Sequence, residues 1–425
     1  MPVESLRSTR DLLISDTSLQ GEAFCRALSN ATDSWLSALA TAAGGSQKKM
    51  ALLAVGGYGR QELCPFSDLD LLLVHDSRNS VQEFADQLWY PVWDQGVNVD
   101  HAVRRPKEVL SVASSDLRVA LGLLDARLVW GDPSLAIPLI DRVKDLWRSR
   151  LAAEFLPALE EQMEERHRVE GDVAFLLEPN LKEAHGGLRD VNVLRSLPSC
   201  APHLTDLVNL SVIDGAAAVL VAVRVELHRS AARELDRMLL QDQDHLAASL
   251  GFSDADVLCR TVSEAGRAIA SLSDDTWRRR RLWEPGSLQQ EQAAASQLIV
   301  EEGIVVVDGE VSPLNPSDVV NDPSLIWRLG AVAGERDLPI SFHGLTELCS
   351  QPFLVPEPWS PEIRDALVRM LIAGHQSIPA FESIDRVGLV TRFLPEWDHV
   401  RHFHQRNAYH RFTVDRHLLE AAANA

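Results

Sequence analysis

Asp68 and Asp70 stand two residues apart in Ser67-Asp68-Leu69-Asp70-Leu71-Leu72-Leu73-Val74. Side chains two apart on a strand point the same way, so these carboxylates share a face while Leu69 and Leu71 turn toward a core. Two anions side by side repel each other unless a cation lies between them. Oxygen-only ligation suits Mg²⁺, which keeps several waters and shares its remaining positions with substrate phosphates. Upstream, Gly56-Gly57-Tyr58-Gly59-Arg60 follows the apolar run Met50 to Val55. That is a strand leading into a glycine turn and a helix, where backbone N–H groups can approach a phosphate chain. The two features together specify metal-dependent nucleotidyl transfer. Asp68 and Asp70 would be the catalytic metal ligands, with Gly56, Gly57, Arg60 and Ser67 on the substrate.

A glycine pair on a turn followed by Asp-x-Asp on a strand resembles the DNA polymerase beta-type nucleotidyltransferase superfamily. The resemblance implies a third carboxylate on a later strand. Val97 to Arg104 alternates Val97, Val99, His101 and Val103 with Asn98, Asp100, Ala102 and Arg104, the pattern of a half-buried strand. Asp100 is therefore the expected third catalytic and metal-binding acid. Asp94, closing a helical stretch, and Asp76, at a strand end, are its competitors.

A second dense motif is Leu176-Leu177-Glu178-Pro179-Asn180-Leu181-Lys182-Glu183-Ala184-His185-Gly186-Gly187-Leu188-Arg189-Asp190. A helix is expected to begin near Leu188. The loop before it could present Lys182, the Gly186 and Gly187 amides and Arg189 to an anion, with Asp190 orienting Arg189. The bland alternative is a structured connector whose glycines make a turn.

The two motifs as a pair resemble the bifunctional uridylyltransferase/uridylyl-removing enzymes of bacterial nitrogen sensing. So do Val97 to Arg104 and the segment Leu227-His228-Arg229 through Asp236-Arg237 and Gln241-Asp242-Gln243. The resemblance spans nearly the whole chain. It implies Mg²⁺-dependent transfer of UMP from UTP to a tyrosine of the PII signal protein, with release of pyrophosphate. PII adenylylation from ATP, and a catalytically silent module that binds nucleotide or PII, remain the alternatives. Tyr409 to Leu418 resembles the opening of the family's HD phosphohydrolase domain, with His417 as its first metal ligand. The rest of such a site would lie beyond Ala425, so uridylyl removal is not expected of this polypeptide. His399, His402, His404 and His410 read as a histidine-rich surface helix end.

These residues need elements to hold them. Leu6 to Ala43 reads as helices. Met50–Val55 and Val97–Arg104 read as strands, with helices over Ser80–Asp94 and after Pro106. The result is a small mixed sheet with helices on one side, an α+β fold. Long amphipathic helices follow over Leu151–Glu170, Asp214–Leu240 and Asp254–Arg281. Leu298 to Leu314 then reads as a hairpin with an Asp-Gly turn, and helices resume from about Pro323 to Leu394. The expected divisions are 1–46 (N-terminal helices), 47–150 (catalytic domain), 151–290 (helical domain) and 291–425 (hairpin and helices leading into a truncated HD domain).

Composition bounds the rest. At 425 residues with 46% hydrophobic content, the chain can build two or three cores. A formal net charge of −20 excludes the broad basic face that a nucleic-acid substrate needs. A nucleotide requires only a local basic cluster. Cys25, Cys64, Cys200, Cys259 and Cys349 are scattered and odd in number, the pattern of reduced thiols in the cytoplasm. No apolar run reaches the length of a membrane span.

Overall fold

Met50–Ala54 and Leu69–His75 are nearly unbroken apolar runs and form strands β1 and β2. With β3 (Val99–Arg104) and β4 (Arg127–Gly131) they make a four-stranded sheet ordered β3-β2-β1-β4. Strand β1 is antiparallel to both β2 and β4, while β2 and β3 run parallel. The computed structural model describes residues 5–44, 49–76, 81–197, 210–282, 298–405 and 411–425.

Alternation along the strands divides two cores. Met50, Leu52, Leu71 and Leu73 pack against α1 (Leu6–Ser15), α2 (Gly21–Ala42) and, beyond the single turn α3 (Gly56–Gly59), α4 (Gln82–Trp93). Ala51, Leu53, Leu72 and Val74 pack against α5 (Pro106–Ala113), α6 (Leu117–Leu124) and α7 (Pro133–Leu146). Helices therefore cover both faces, where the sequence leads one to expect a single covered side. The apolar continuity of β1 and β2 is the cause, since a strand buried on both faces cannot alternate with polar residues.

The helical half continues with α8 (Ala152–Glu170), α9 (Leu188–Ser196), α10 (Leu210–Ala231), α11 (Gln243–Leu250) and α12 (Ala255–Leu282). Leu181, Leu194, Leu220, Leu227 and Leu258 are among its fully buried side chains. The helix expected over 214–240 stops at Ala231. Ala232 takes a left-handed φ of 50°, and Arg237 leaves to bridge Asn180.

Residues 1–277 make one compact unit and 278–425 a second. The second has its own three-stranded sheet of β5 (Leu298–Glu301), β6 (Ile304–Val307) and β7 (Glu310–Pro313), one strand more than a hairpin. Asp308 and Gly309 have φ of 52° and 74°, as a tight two-residue turn requires. Its central helix, Leu325–Arg336, buries Leu325, Ile326, Trp327, Leu329 and Val332. No helix among the described residues is long and apolar enough to cross a membrane.

Candidate active site

The register between β2 and β3 sets Asp70 directly beside Asp100. In-register neighbours of a parallel pair project to the same face, so the two carboxylates meet on the side of Leu72 and Ala102. Further along that side, α5 to α7 close over the sheet. Beside the sheet they leave a cavity of about 600 Å³ that both Asp70 and Asp100 line and that extends along β3 to Arg104. Its size is in the range of small-molecule sites. Asp68 precedes β2 rather than lying on it, and its side chain is exposed.

Burial pushes the Asp70 carboxyl above its ordinary range, and the charges of Asp100 and Asp68 push it further. Arg60 and Lys182 oppose the shift without cancelling it. A half-buried carboxylate facing two others is a place where a cation would be stabilised. Among the described residues, no three His, Cys, Asp or Glu side chains are drawn together closely enough to hold a metal ion. Asp70 and Asp100 are paired, whereas Asp68 is not among the residues lining the cavity.

The glycine turn lies against this pair. The Val55 N–H donates to the Asp70 carbonyl at 3.1 Å, fixing the end of β1 to the start of β2. Gly56 follows with φ 55°, and a β-carbon there would stand 3.1 Å from Asp70 Oδ2. Both the dihedral and the crowding select glycine. The expected helix is only the single turn α3, closed by Gly59 N–H on Val55 O and Arg60 N–H on Gly56 O. Gly56, Gly57 and Arg60 all line the cavity.

Arg60 serves the scaffold as much as the cavity. Its guanidinium pairs with Glu62 at 2.8 Å and with Asp125, at the end of α6, at 2.5 Å. Burial opposes its charge, but these two carboxylates hold it protonated. Glu62 in turn pairs with Arg195 of α9, and Arg195 with Asp214 of α10, both at 2.8 Å. Ser67 is occupied locally, its hydroxyl accepting from the Cys64 N–H at 3.0 Å.

The second motif folds as a clamp beside the cavity. Asp190 is fully buried and accepts from Arg166, from His167 at 3.0 Å and from the Gly186 N–H at 2.8 Å. Burial pushes its carboxyl up, but the bonds from His167 and Arg166 more than offset this and hold it below the usual range. Asp190 therefore does not orient Arg189, whose partner is Glu183 at 2.7 Å. Gly186 (φ 81°) presses on the backbone of α12, where a β-carbon would come 2.2 Å from Gly266 O. The Gly187 N–H is taken by Ala184 O at 2.8 Å. Both expected anion-binding amides are thus taken by the motif itself, one by the Asp190 side chain of α9 and one by the Ala184 carbonyl. Lys182 pairs with Glu234 at 3.3 Å and Asp236 at 3.5 Å. Of the four residues expected to bind substrate here, Arg189 alone lines the cavity.

Several cavity residues were not among the expected site residues: Arg104, Arg118, Asp125, Lys144, Asn192 and Arg195. Arg104 shares the face of Asp100 by strand parity, a signal present in the sequence. Arg118 and Lys144 come from helices with no local mark of function. In the second unit His402 and His404 are buried, against the expectation of a surface cluster, and the His402 N–H donates to buried Asp415 at 3.0 Å. His399 and His417 are exposed, and His410 lies outside the described residues.

Comparison with known proteins agrees with the second motif and with the chain at large. Residues 154–277 match the family described as GlnD PII-uridylyltransferase. The chain is 42% identical to a bifunctional uridylyltransferase/uridylyl-removing enzyme of Streptomyces coelicolor, over 97% of this chain and 51% of that protein. Proteins of the same name from Mycobacterium tuberculosis and Corynebacterium glutamicum are 38% and 33% identical, each over 88% of this chain and 47% and 53% of their own length. Residues 154–277 thus carry the GlnD PII-uridylyltransferase pattern, and the chain, spanning about half the length of the curated relatives it matches, is similar to the bifunctional uridylyltransferase/uridylyl-removing enzymes along nearly all of its own.

Proposed function

We propose that this chain is a nucleotidyltransferase that moves UMP from UTP to a tyrosine hydroxyl of the PII signal protein and releases pyrophosphate. The observation that carries the reading is the in-register pair Asp70 and Asp100, set against Gly56 in the lining of a nucleotide-sized cavity. The names of the relatives support uridylyl transfer, and the matching family's description supports PII as acceptor. The free thiols of Cys25, Cys64, Cys259 and Cys349 fit a cytoplasmic protein.

The donor set fits Mg²⁺: oxygen-only, anionic, and raising the pKa of its own central member. Asp70 and Asp100 would hold the ion, with Asp68 contributing from its exposed position just before β2. When bound, it would supply charge neutralisation for the phosphates and for the departing pyrophosphate.

The protein's own groups then have defined tasks. Gly56 and Gly57 let the backbone approach the phosphate chain. Arg189 and Arg195 line the α9 wall of the cavity. The exposed Asp100 carboxylate accepts the phenolic proton, which at a pKa of about 10 needs a base near neutrality. A bond forms between the phenolic oxygen and the α-phosphorus as the α–β phosphoanhydride breaks.

The test incubates the chain with PII, Mg²⁺ and α-labelled UTP or ATP in separate reactions, and follows label on PII by mass. Label from UTP supports the reading. Label from ATP alone transfers it to adenylylation, and no label with either nucleotide overturns it.

A further inference from the structure

We propose that Arg104, Arg118 and Lys144 form the seat for the pyrophosphate end of the nucleotide, on the cavity wall built by β3, α6 and α7. The inference rests on the nucleotidyl-transfer reading and relocates its phosphate-binding cations away from the Lys182–Arg189 loop.

Charge makes the cavity unlike the rest of the molecule. The chain has 61 acidic and 41 basic residues, yet the cavity gathers Arg60, Arg104, Arg118, Lys144, Arg148, Arg189 and Arg195 against Asp70, Asp100 and Asp125. Four of these cations already have carboxylate partners. Arg60 is held by Glu62 and Asp125, Arg195 by Glu62 and Asp214, Arg189 by Glu183, and Arg148 by Asp145 at 3.2 Å. Among the described residues, no carboxylate or other acceptor pairs with the side chains of Arg104, Arg118 or Lys144. A single unpaired surface cation is ordinary. Three that converge from the end of β3, the first turn of α6 and the last turn of α7 onto one cavity make an anion site.

Placement decides which part of the nucleotide they meet. Arg104 lies on the face of Asp100, four residues further along β3. That is about 13 Å of strand, a gap that the phosphate chain and an arginine side chain bridge together. With the α-phosphorus beside Asp70 and Asp100, the terminal phosphates extend toward this wall. Three cations match the multiple charge of a departing pyrophosphate better than that of a single phosphate.

Calorimetric titration of the full chain with inorganic pyrophosphate in Mg²⁺, and with orthophosphate in a parallel arm, tests the seat. Arg118→Ala and Lys144→Ala should each raise the Kd for pyrophosphate about tenfold, the scale of one charged hydrogen bond. Arg118→Lys should recover most of the loss. Arg142→Ala, which removes an exposed cation of α7 outside the cavity, should leave the Kd unchanged. Wild-type affinity in both alanine variants overturns the proposal, as does orthophosphate binding as tightly as pyrophosphate. If pyrophosphate binding weakens as stated but no nucleotide is ever transferred, the seat stands and the transfer reading falls. Normal transfer with unaltered variants leaves the transfer reading and removes the seat.

Discussion

At Asp70 the folded protein keeps a carboxyl half-buried among other acids, and this sets the sign of its contribution to stability. The folded state binds that proton more tightly than the unfolded chain does. Stability therefore falls as pH rises from the ordinary carboxyl value toward the raised one. Asp70→Asn should raise the melting temperature of the metal-free protein above that window, and the difference should shrink in acid. The same variant should lose transfer by roughly 100-fold or more, as removal of a group stabilising transition-state charge does. A metal-free variant that melts lower than wild type at neutral pH would contradict the electrostatic account of the pair. Gly56→Ala places a β-carbon beside Asp70 Oδ2 in a left-handed conformation. It should cost about 1–2 kcal/mol of stability and should slow transfer in the same PII-labelling assay.

Among the elements, β1, β2 and the parity of Asp70 were legible because a strand's two-residue period needs only local sequence. Asp100 was legible as a strand residue, although its place beside Asp70 depends on a parallel pairing that no local pattern encodes. The second covered face of the sheet was written in the runs Ala51-Leu52-Leu53-Ala54 and Leu71-Leu72-Leu73-Val74, which alternate with nothing polar. Gly186 and Gly187 misled for a physical reason. A glycine pair that admits a phosphate and one that admits another helix's backbone look alike in sequence, and here the visitor is Gly266 of α12. The break after Ala231 was equally hidden, since 231–240 carries helical spacing while Asp236 is drawn to Arg224 at 2.6 Å. The α8–α9 clamp makes its own prediction. Asp190 has a lowered pKa, so its contribution is present above the unfolded carboxyl value and is lost as pH falls through the folded one. Asp190→Ala strands the partly buried Arg166 and His167 and should cost about 3–5 kcal/mol in a denaturant titration. A loss below about 1 kcal/mol would show that the clamp is not structural.

Over the whole molecule, the buried apolar cores fall cleanly on either side of residue 277. Among the described residues, three belong to the first unit, and the one around Trp327 and Phe381 belongs to the second. Among the described residues, every one that lines the cavity beside Asp70 and Asp100 lies between Val55 and Ser196. A chain ending after Leu282 should therefore melt cooperatively and bind nucleotide as the full chain does, measured by calorimetry. Loss of binding in a fragment that still melts cooperatively would show that the second unit contributes to the cavity. Within the first unit, Asp125, Arg60, Glu62, Arg195 and Asp214 alternate in sign like beads on a string, from the lining of the cleft to the first turns of α10. Each inner bead answers to two neighbours, so cutting the string at Glu62, which does not line the cleft, takes one of two partners from Arg60 and from Arg195 at once and leaves them only Asp125 and Asp214. The glycine turn before Arg60 would then lose part of its anchorage from behind, and a fall in the transfer expected of this chain would arrive from a residue outside the cavity.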